Sequence, residues 1–431
     1  MKKFIAILAV LAITGFSVVA FAADVTVGGS YEIRSRDFNM LNLSKEVTAA
    51  DSGDQTDTQT RIRLDVNAKA GDVKGKLQLE SDFGTGSRDW GQNFDTYSVN
   101  NSGLGFREAW VLFPLPGIPV NVKAGHQLLQ LGNGWFFRSQ HFGSDAWVVF
   151  NDTGNNHLGF VNVKFNENQV YAADDADAYV IVDTFKLNEN NKIGIDLTFA
   201  NFRQPAGAGT ENKIQNLGLN YNGKLGPLAL KAEFDIQSGK FKSPGGDSKY
   251  KGNQIVIEGS MPMDALTINF WLARGTGDKA GSVDTDAYVT VMDIDPHYTF
   301  LHEYKIAGAN GGVHQGFSNT MAAGLGAMFN VSKALAVGAN FWYLQATEKT
   351  NIDLDGAGTA YNTTGIAASD KLGTEVDVMI NWKLYDNLTW NWVLGWFDPG
   401  DAYKNNYTGP GGGVKGDQAS TGIQGVLKFA F

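Results

Sequence analysis

Apolar side chains recur at every second position over much of this chain. From Leu388 to Trp396, the residues Leu388, Trp390, Trp392, Leu394 and Trp396 alternate with Thr389, Asn391, Val393 and Gly395. A pleated strand sends successive side chains to opposite faces, so this pattern predicts a strand with one apolar face and one face of polar or small groups. Residues 265–272, 334–343 and 374–384 behave likewise, with Leu266, Ile268, Phe270 and Leu272 opposite Thr267 and Asn269. Carried along the chain, the pattern predicts strands at 24–38, 58–70, 73–83, 103–113, 119–130, 145–151, 157–166, 176–187, 192–204, 211–222, 226–240, 250–261, 265–277, 318–330, 334–348, 371–384, 388–399 and 418–431. Eight short turns join these in pairs, among them Gly71-Asp72, Pro114 to Gly117, Asn188 to Asn191 and Tyr385 to Asn387. Nine longer segments rich in Gly, Asn, Asp, Ser and Thr separate the pairs. Short turns at one end and long polar loops at the other are the layout of an up-and-down antiparallel barrel that crosses a membrane. The expected fold is all-β, a transmembrane β-barrel of 18 strands, with 16 as the alternative because single barrel strands carry weak signals.

The two ends of the chain add to this. Lys2 and Lys3 precede an apolar run from Phe4 to Val19 that closes on Ala20-Phe21-Ala22. That is the build of a cleaved secretory signal peptide, so residues 1–22 are expected to be an address and residues 23–431 the barrel. At the other end, Ile423, Gly425, Leu427, Phe429 and Phe431 share one face, with Gln424 and Lys428 between them. This ending resembles the recognition strand that outer-membrane barrels present to their assembly machinery, which makes that machinery an expected partner through Phe431. The expected residence is a Gram-negative outer membrane, beside its lipid and lipopolysaccharide.

Composition narrows the function classes. The 52 glycines, 10 tryptophans and 27 phenylalanines against 10 prolines fit many strands girdled by aromatic rings. Without cysteine, a disulfide framework, a thiolate metal site and a C-x-x-C-H haem attachment are all excluded. Setting aside Lys2 and Lys3, the 35 basic residues become 33 against 45 acidic ones, a net charge of −12 that argues against nucleic acid as a partner. No G-x-S-x-G or H-E-x-x-H motif occurs and the six histidines are scattered, so an enzyme is not expected.

Two passages carry a family resemblance. Val120 to Phe150 reads VNVKAGHQLLQLGNGWFFRSQHFGSDAWVVF, and Val291 to Gly308 reads VMDIDPHYTFLHEYKIAG. Both resemble the alginate-export family of outer-membrane barrels. In that family a strand ending in G-R-Q leads into a loop with a G-N or G-D step, and a D-A pair, here Asp145-Ala146, opens the next strand. The resemblance covers about 50 residues and implies an 18-stranded barrel. It departs at His126, where the family has arginine, so a permanent charge is replaced by a titratable ring and carriage of a polyanion is put in question.

Turning each polar face inward makes Arg61, Arg63, Lys69, Lys74, Lys76, Lys123, Lys164, Lys231, Lys383 and Lys428 the basic lumen candidates. The acidic ones are Asp65, Glu80, Asp82, Asp196, Glu233, Asp235, Glu258, Glu375 and Asp377. The two sets nearly cancel in charge but gather on different strands, which predicts a field across the lumen. In the segment Leu131 to Ser144, Trp135, Phe136, Phe137, Arg138 and His141 are candidates for a loop that constricts the pore, which the resemblance also implies. The other reading open to these rings is the outer membrane interface. Asn351 to Gly356 has the oxygen-ligand spacing of a calcium loop, with Asp353 and Asp355 as ligands, although Asn362 stands where the bidentate Glu belongs. Asp293, Asp295, His297, His302 and Glu303 form a second, weaker metal pattern, and Asp284 with Asp286 a further acidic pair of the outer loops. A structural Ca²⁺ at the outer loops is the only cofactor these residues suggest.

The expected function is a channel that passes small polar or charged solutes through the lumen. An exporter of an anionic polysaccharide is the alternative, and a barrel sheathing a periplasmic partner the second alternative. The sequence leaves the oligomeric state open. Phe431 supplies the first test: deleting it, or replacing it with a charged residue, is expected to block assembly and leave the chain degraded in the periplasm. Normal surface yield of such a variant, read by immunoblot of outer membranes, would count against a barrel.

Overall fold

The computed structural model describes residues 23–43, 54–85, 104–166, 175–203, 211–243, 246–290, 298–306, 316–350, 352, 368–404 and 416–431. Its strands are β1 (Asp24–Asn39), β2 (Gln55–Ala70), β3 (Val73–Thr85), β4 (Leu104–Pro114), β5 (Asn121–Gln130), β6 (Arg138–Thr153), β7 (Asn156–Asn166), β8 (Ala176–Asn188), β9 (Asn191–Arg203) and β10 (Glu211–Leu225). They continue as β11 (Leu228–Ser243), β12 (Gly246–Lys249), β13 (Asn253–Met263), β14 (Leu266–Gly275), β15 (Thr320–Asn330), β16 (Leu335–Thr350), β17 (Ser369–Tyr385), β18 (Leu388–Pro399) and β19 (Ser420–Ala430), with one short helix, α1 (Asp401–Lys404). Each strand pairs antiparallel with its neighbours in the chain, and β1 pairs with both β2 and β19, so the sheet closes on itself.

Eighteen of these strands are staves. β12 is a four-residue flap on the upper end of β11, whose lower part pairs with β13 across Ala229–Ile236. The polar tetrapeptide of β12 has no apolar alternation to announce it. β6 also begins earlier than alternation suggests. A register shift between Gln127 and Leu129 lets Gln130 pair with Arg138, and such a bulge breaks the period of two. Within the G-x-Q step of the same strand, Gly125 has φ +122°, and a Cβ there would lie 2.3 Å from the Ala109 carbonyl oxygen, so only glycine fits.

Outside, the barrel presents a continuous apolar band. Trp147, Phe160, Tyr179, Ile195, Leu219, Phe234, Leu325, Phe341 and Trp396 are all exposed on the outward face. Rings and branched chains on this scale stay in contact with a medium as apolar as themselves, which for a closed barrel is lipid.

Inside, the expected wet and polar face holds for only part of the circumference. On β6 to β8 the inward residues include Ala146, Val161, Val163, Ala178 and Val180, so these staves are apolar on both faces, and Ala200 of β9 and Ile214 of β10 extend the patch beside inward Asp196, Thr198 and Asn216. The segment between β5 and β6 folds into the lumen and covers that inner patch with Leu131, Phe136 and Phe137. Burying each phenylalanine in this way contributes about 1.5–3 kcal/mol. A second inner cluster joins Phe38, Leu301, Ile306, Phe317, Trp342, Leu344, Leu372, Phe397 and Tyr403, and gathers the β14–β15 segment against β1, β16, β17 and α1. The core of this protein is thus made by loops packed against the inside of the wall.

Candidate functional site

One wall of the lumen is built by β1 to β5. Arg36 forms a two-pronged bond with Asp57, Nε to Oδ1 at 3.0 Å and a terminal nitrogen to Oδ2 at 2.6 Å. Arg34 donates to Gln59 and, at 3.2 Å, to the Tyr304 hydroxyl, which also accepts from Arg36 at 2.7 Å. Glu80 lies under three guanidinium groups, those of Arg63 at 2.5 Å, Arg61 at 3.2 Å and Arg107 at 3.6 Å. Lys76 reaches Glu108 at 2.5 Å and Asp65 at 3.4 Å, and Lys123 stands 4.2 Å over the Trp110 ring. Lys74 continues the inward face of β3 at the exposed, short-turn end.

The facing wall is acidic. β11 lies nine staves from β2 in either direction round the ring, β12 not being a stave. It carries Glu233 and Asp235 inward, with Glu258 beside them on β13 and Asp196 on β9. Asp235 takes its hydrogen bonds from the amides of Asn216, at 2.9 Å, and Gln254, at 2.8 Å. Glu258 accepts from Trp135 Nε1 at 2.7 Å and stands 3.8 Å from the Lys231 ammonium. The structure therefore brings together on the acidic side Glu233, Asp235 and Glu258, and on the basic side Arg61, Arg63, Lys74, Lys76 and Lys123. Glu375 and Asp377, on β17, are separate from both and lie beneath the β14–β15 segment.

Two buried carboxylates hold the loops that enter the lumen. Glu233 accepts from the backbone N–H groups of Asn133 at 2.5 Å, Trp135 at 3.0 Å and Phe136 at 3.2 Å. Glu375 does the same for Phe300 at 2.7 Å, Leu301 at 2.6 Å and His302 at 2.8 Å. A loop with no sheet partner must find acceptors for its backbone donors, and a carboxylate with several lone pairs can accept three at once. The two loops meet through aromatic rings: Trp135 lies 4.8 Å from Phe317, and Phe317 stacks on Tyr298 at 4.4 Å. Beside this contact is a cavity of about 290 Å³ bordered by Trp135, Arg138, Lys231, Glu258, Trp271 and Trp342.

Trp135, Phe136 and Phe137 are therefore interior residues and do not stand in the membrane interface. His141 falls within β6, with a side chain outside the described residues, as are Asp353 and Asp355, Asp293, Asp295 and His297, and the side chain of Asp82. Ile352, inside the calcium-like passage, is buried, with its N–H donated to the Ala402 carbonyl. His302 is buried with Nε2 2.9 Å from the Tyr403 hydroxyl, and Asp284 is bound by Lys251 at 2.5 Å. Two expectations are corrected. Lys164 faces outward, on the same face as exposed Leu158 and Phe160, and pairs with Asp175 and Asp177. His126 also faces outward, 2.8 Å from Asp145, so it takes no part in the lumen charge.

Sequence reasoning missed Arg34, Arg36 and Arg107. On β1 the arginines share their face with Phe38 while Ser35 and Asp37 point outward, which blurs the contrast between faces. The Glu32-x-Arg34-x-Arg36 spacing was the signal that remained. On β4 a register shift opposite Gln78 and Leu79 turns both Arg107 and Glu108 inward, and no count of parity can see a bulge.

These features define a closed 18-stave barrel of porin architecture. Neither a protein-family model nor a curated protein matches the chain in sequence. Solved structures match it in fold over nearly the whole length of both chains. A BenF-like porin from Pseudomonas fluorescens Pf-5 superposes with TM-score 0.55 at 12% identity, over 96% of this chain and 100% of that one. Pseudomonas aeruginosa OccK2 (OpdF), solved in complex with glucuronate, gives 0.54 at 11% over 95% and 96%. The outer membrane protein OprD from Pseudomonas aeruginosa gives 0.54 at 11% over 94% of each chain.

Two tests follow from the latches. Glu233→Ala leaves three backbone donors without their acceptor and is expected to weaken the hold on residues 131–137 by about 3 kcal/mol or more. Single-channel recordings should then show larger and noisier current, and an unchanged trace would mean that the carboxylate does not restrain the loop. Burial lowers the His302 imidazole from 6.5 to about 3, so the closed segment binds fewer protons than an open one throughout that window. Its stability rises with pH there, and closure at pH 5 is expected to be about 2 kcal/mol weaker than at pH 7. Hydrogen exchange of residues 298–306 should be faster at pH 5 after correction for intrinsic rates, and the difference should vanish in His302→Phe.

Proposed function

We propose that this chain is a non-enzymatic outer-membrane channel for passive uptake of small polar or charged solutes. The observation that carries this reading is the pair of opposed walls, arginine and lysine on β1 to β5 and carboxylates on β9 to β13, along a lumen narrowed by two latched loops. Such walls turn a permeating dipole or zwitterion into one orientation and attract either sign of charge to its own side. Trp135, Phe136 and Phe137 act as the packed body of the constriction, and Arg138 beside the cavity meets solute. Glucuronate is the ligand named for OccK2, and a small carboxylate of that kind suits the cluster of Arg61, Arg63 and Arg107 over one Glu80.

The likeness to the alginate-export family keeps the polysaccharide exporter as a second reading. The two latched loops weigh against it, because a polymer would need both to withdraw together. Planar-bilayer conductance of the mature chain, with reversal potentials in unequal salt, tests the channel. The wild-type barrel is expected to be close to non-selective, and converting Arg61, Arg63, Lys74 and Lys76 to Glu is expected to move it toward cations. A reversal potential unmoved by the four changes would refute the assignment of this wall to the pathway, and absence of any conductance would refute the channel.

A further inference from the structure

The inner faces of β9, β10, β11 and β13 carry a row of polar residues that holds neither loop. The register sets Asp196 opposite Gly218, Gly218 opposite Asp235, and Asp235 opposite Gln254. Two residues along the strands, Thr198 faces Asn216. Asp196, Thr198, Asn216, Asp235 and Gln254 are each no more than 3% exposed. Glu233 follows Asp235 on the same face, but its charge is met by the three loop N–H groups.

Asp235 accepts one amide on each oxygen, from Asn216 and Gln254, and the buried Tyr288 hydroxyl adjoins it. Asp196 has nothing comparable. Among the described residues it takes part in no hydrogen bond and no ion pair, and its Oδ1 is sealed from solvent. Its side chain lies across Gly218, where a Cβ would come 2.5 Å from Oδ2 and 2.8 Å from Oδ1, so the missing side chain lets the carboxylate lean toward Asp235. Thr198 Oγ1 and Asn216 Oδ1 are likewise buried without a hydrogen-bond partner. The Asn216 amide nitrogen is committed to Asp235 at 2.9 Å, which keeps Oδ1 beside the same pair of acids. Neither aspartate has a lysine or arginine partner among the described residues, and the Lys231 ammonium goes to Glu258.

We infer that Asp196 and Asp235 bind one calcium ion across Gly218, with Asn216 Oδ1 and Thr198 Oγ1 as neutral ligands and water completing the shell. A buried carboxylate is unfavourable unless it is paired, and a second one across a single glycine adds repulsion. Water supplies donors but no charge, whereas a cation answers both the unfilled oxygens and the excess of negative charge. Two carboxylates, an amide carbonyl and a hydroxyl are an all-oxygen set, and calcium takes about six to eight such ligands without the strict octahedron that magnesium demands. Among the described residues no three acidic or histidine side chains converge, so the two aspartates set the charge, and one divalent ion balances it. The ion ties β9 to β11 beside Glu233, which stiffens the wall that holds the β5–β6 segment.

The test uses the full mature chain in detergent, stripped with chelator, and reads radioactive calcium bound per barrel by equilibrium dialysis. The wild-type barrel is expected to bind with a dissociation constant on the order of 0.1 mM and to prefer calcium over magnesium. Asp196→Asn and Asp235→Asn are each expected to weaken binding on the order of a hundredfold. Gly218→Ala keeps both charges and only pushes the Asp196 carboxylate aside, and it is expected to cost about tenfold. Absence of binding in the wild type overturns the inference, as does wild-type affinity in Asp196→Asn or displacement of calcium by magnesium at equal concentration. Binding that falls with Asp353→Asn and Asp355→Asn instead of with Asp196→Asn also overturns it, since the ion then sits in the outer loop. The unfolding temperature gives a second reading. Calcium should raise it in the wild type and not in Asp196→Asn, whereas in chelator Asp196→Asn should be the more stable of the two, having lost an unpaired buried charge. A lower unfolding temperature for Asp196→Asn in chelator overturns the claim that this carboxylate lacks a counter-ion within the chain. Heat-modifiable mobility on gels verifies that each variant is a folded barrel. Calcium binding is measured without membrane or solute, and conductance of the same samples reports on the channel reading separately.

Discussion

Everything in this protein depends on the pairing of β1 with β19. Ten consecutive residue pairs from Ser30–Ala430 to Asn39–Thr421 close the sheet, and with closure no stave keeps an open edge of N–H and C=O groups. Lipid offers no hydrogen bonds, so a strand can cross it only in such a ring. The closed ring also creates a second interior. Whatever enters it must satisfy its own backbone there, because the wall has already used its N–H and C=O groups on itself.

That requirement explains the two latches. Residues 131–137 and 298–306 have no strand to pair with, and Glu233 and Glu375 each replace a strand by accepting three N–H groups on one carboxylate. The apolar inner face of β6 to β8, extended by Ala200 and Ile214, then gives Phe136 and Phe137 a surface to pack on, while Trp135, Phe317 and Tyr298 join one loop to the other. Burial of a carboxylate is unfavourable unless its oxygens are filled, and here the loop backbone fills them. Loop and acid thus stabilise each other, and the narrowing of the pathway is a consequence of that exchange.

The lumen charges are arranged by the same closure. In sequence the arginines of β1, β2 and β4 and the acids of β9, β11 and β13 are simply far apart. In the ring they face one another across the solute path, while the arginines share Glu80, Asp57 and Tyr304 among themselves.

The sequence by itself determined the class of fold and nearly all strand positions, and it put the number of staves at 18 with 16 left open. Alternation with period two is a local property, and the turn at Gly71-Asp72 or Asp386-Asn387 is written in the residues that make it. It also determined most of the charged lining, since Arg61, Arg63 and Lys76, or Glu233 and Asp235, lie on the inward face by parity alone. Only the tertiary structure decided where parity fails and what the loops do. Bulges near Gln78 and Gln127 shift the faces of Arg107 and of the start of β6, and a bulge depends on the partner strand as much as on its own residues. The β5–β6 and β14–β15 segments turn inward because of contacts to Glu233 and Glu375, about a hundred and about seventy-five residues further along. No local pattern encodes a partner that distant; the apolar inner face of β7 and β8, readable as strands hydrophobic on both sides, was the one trace it left in the chain.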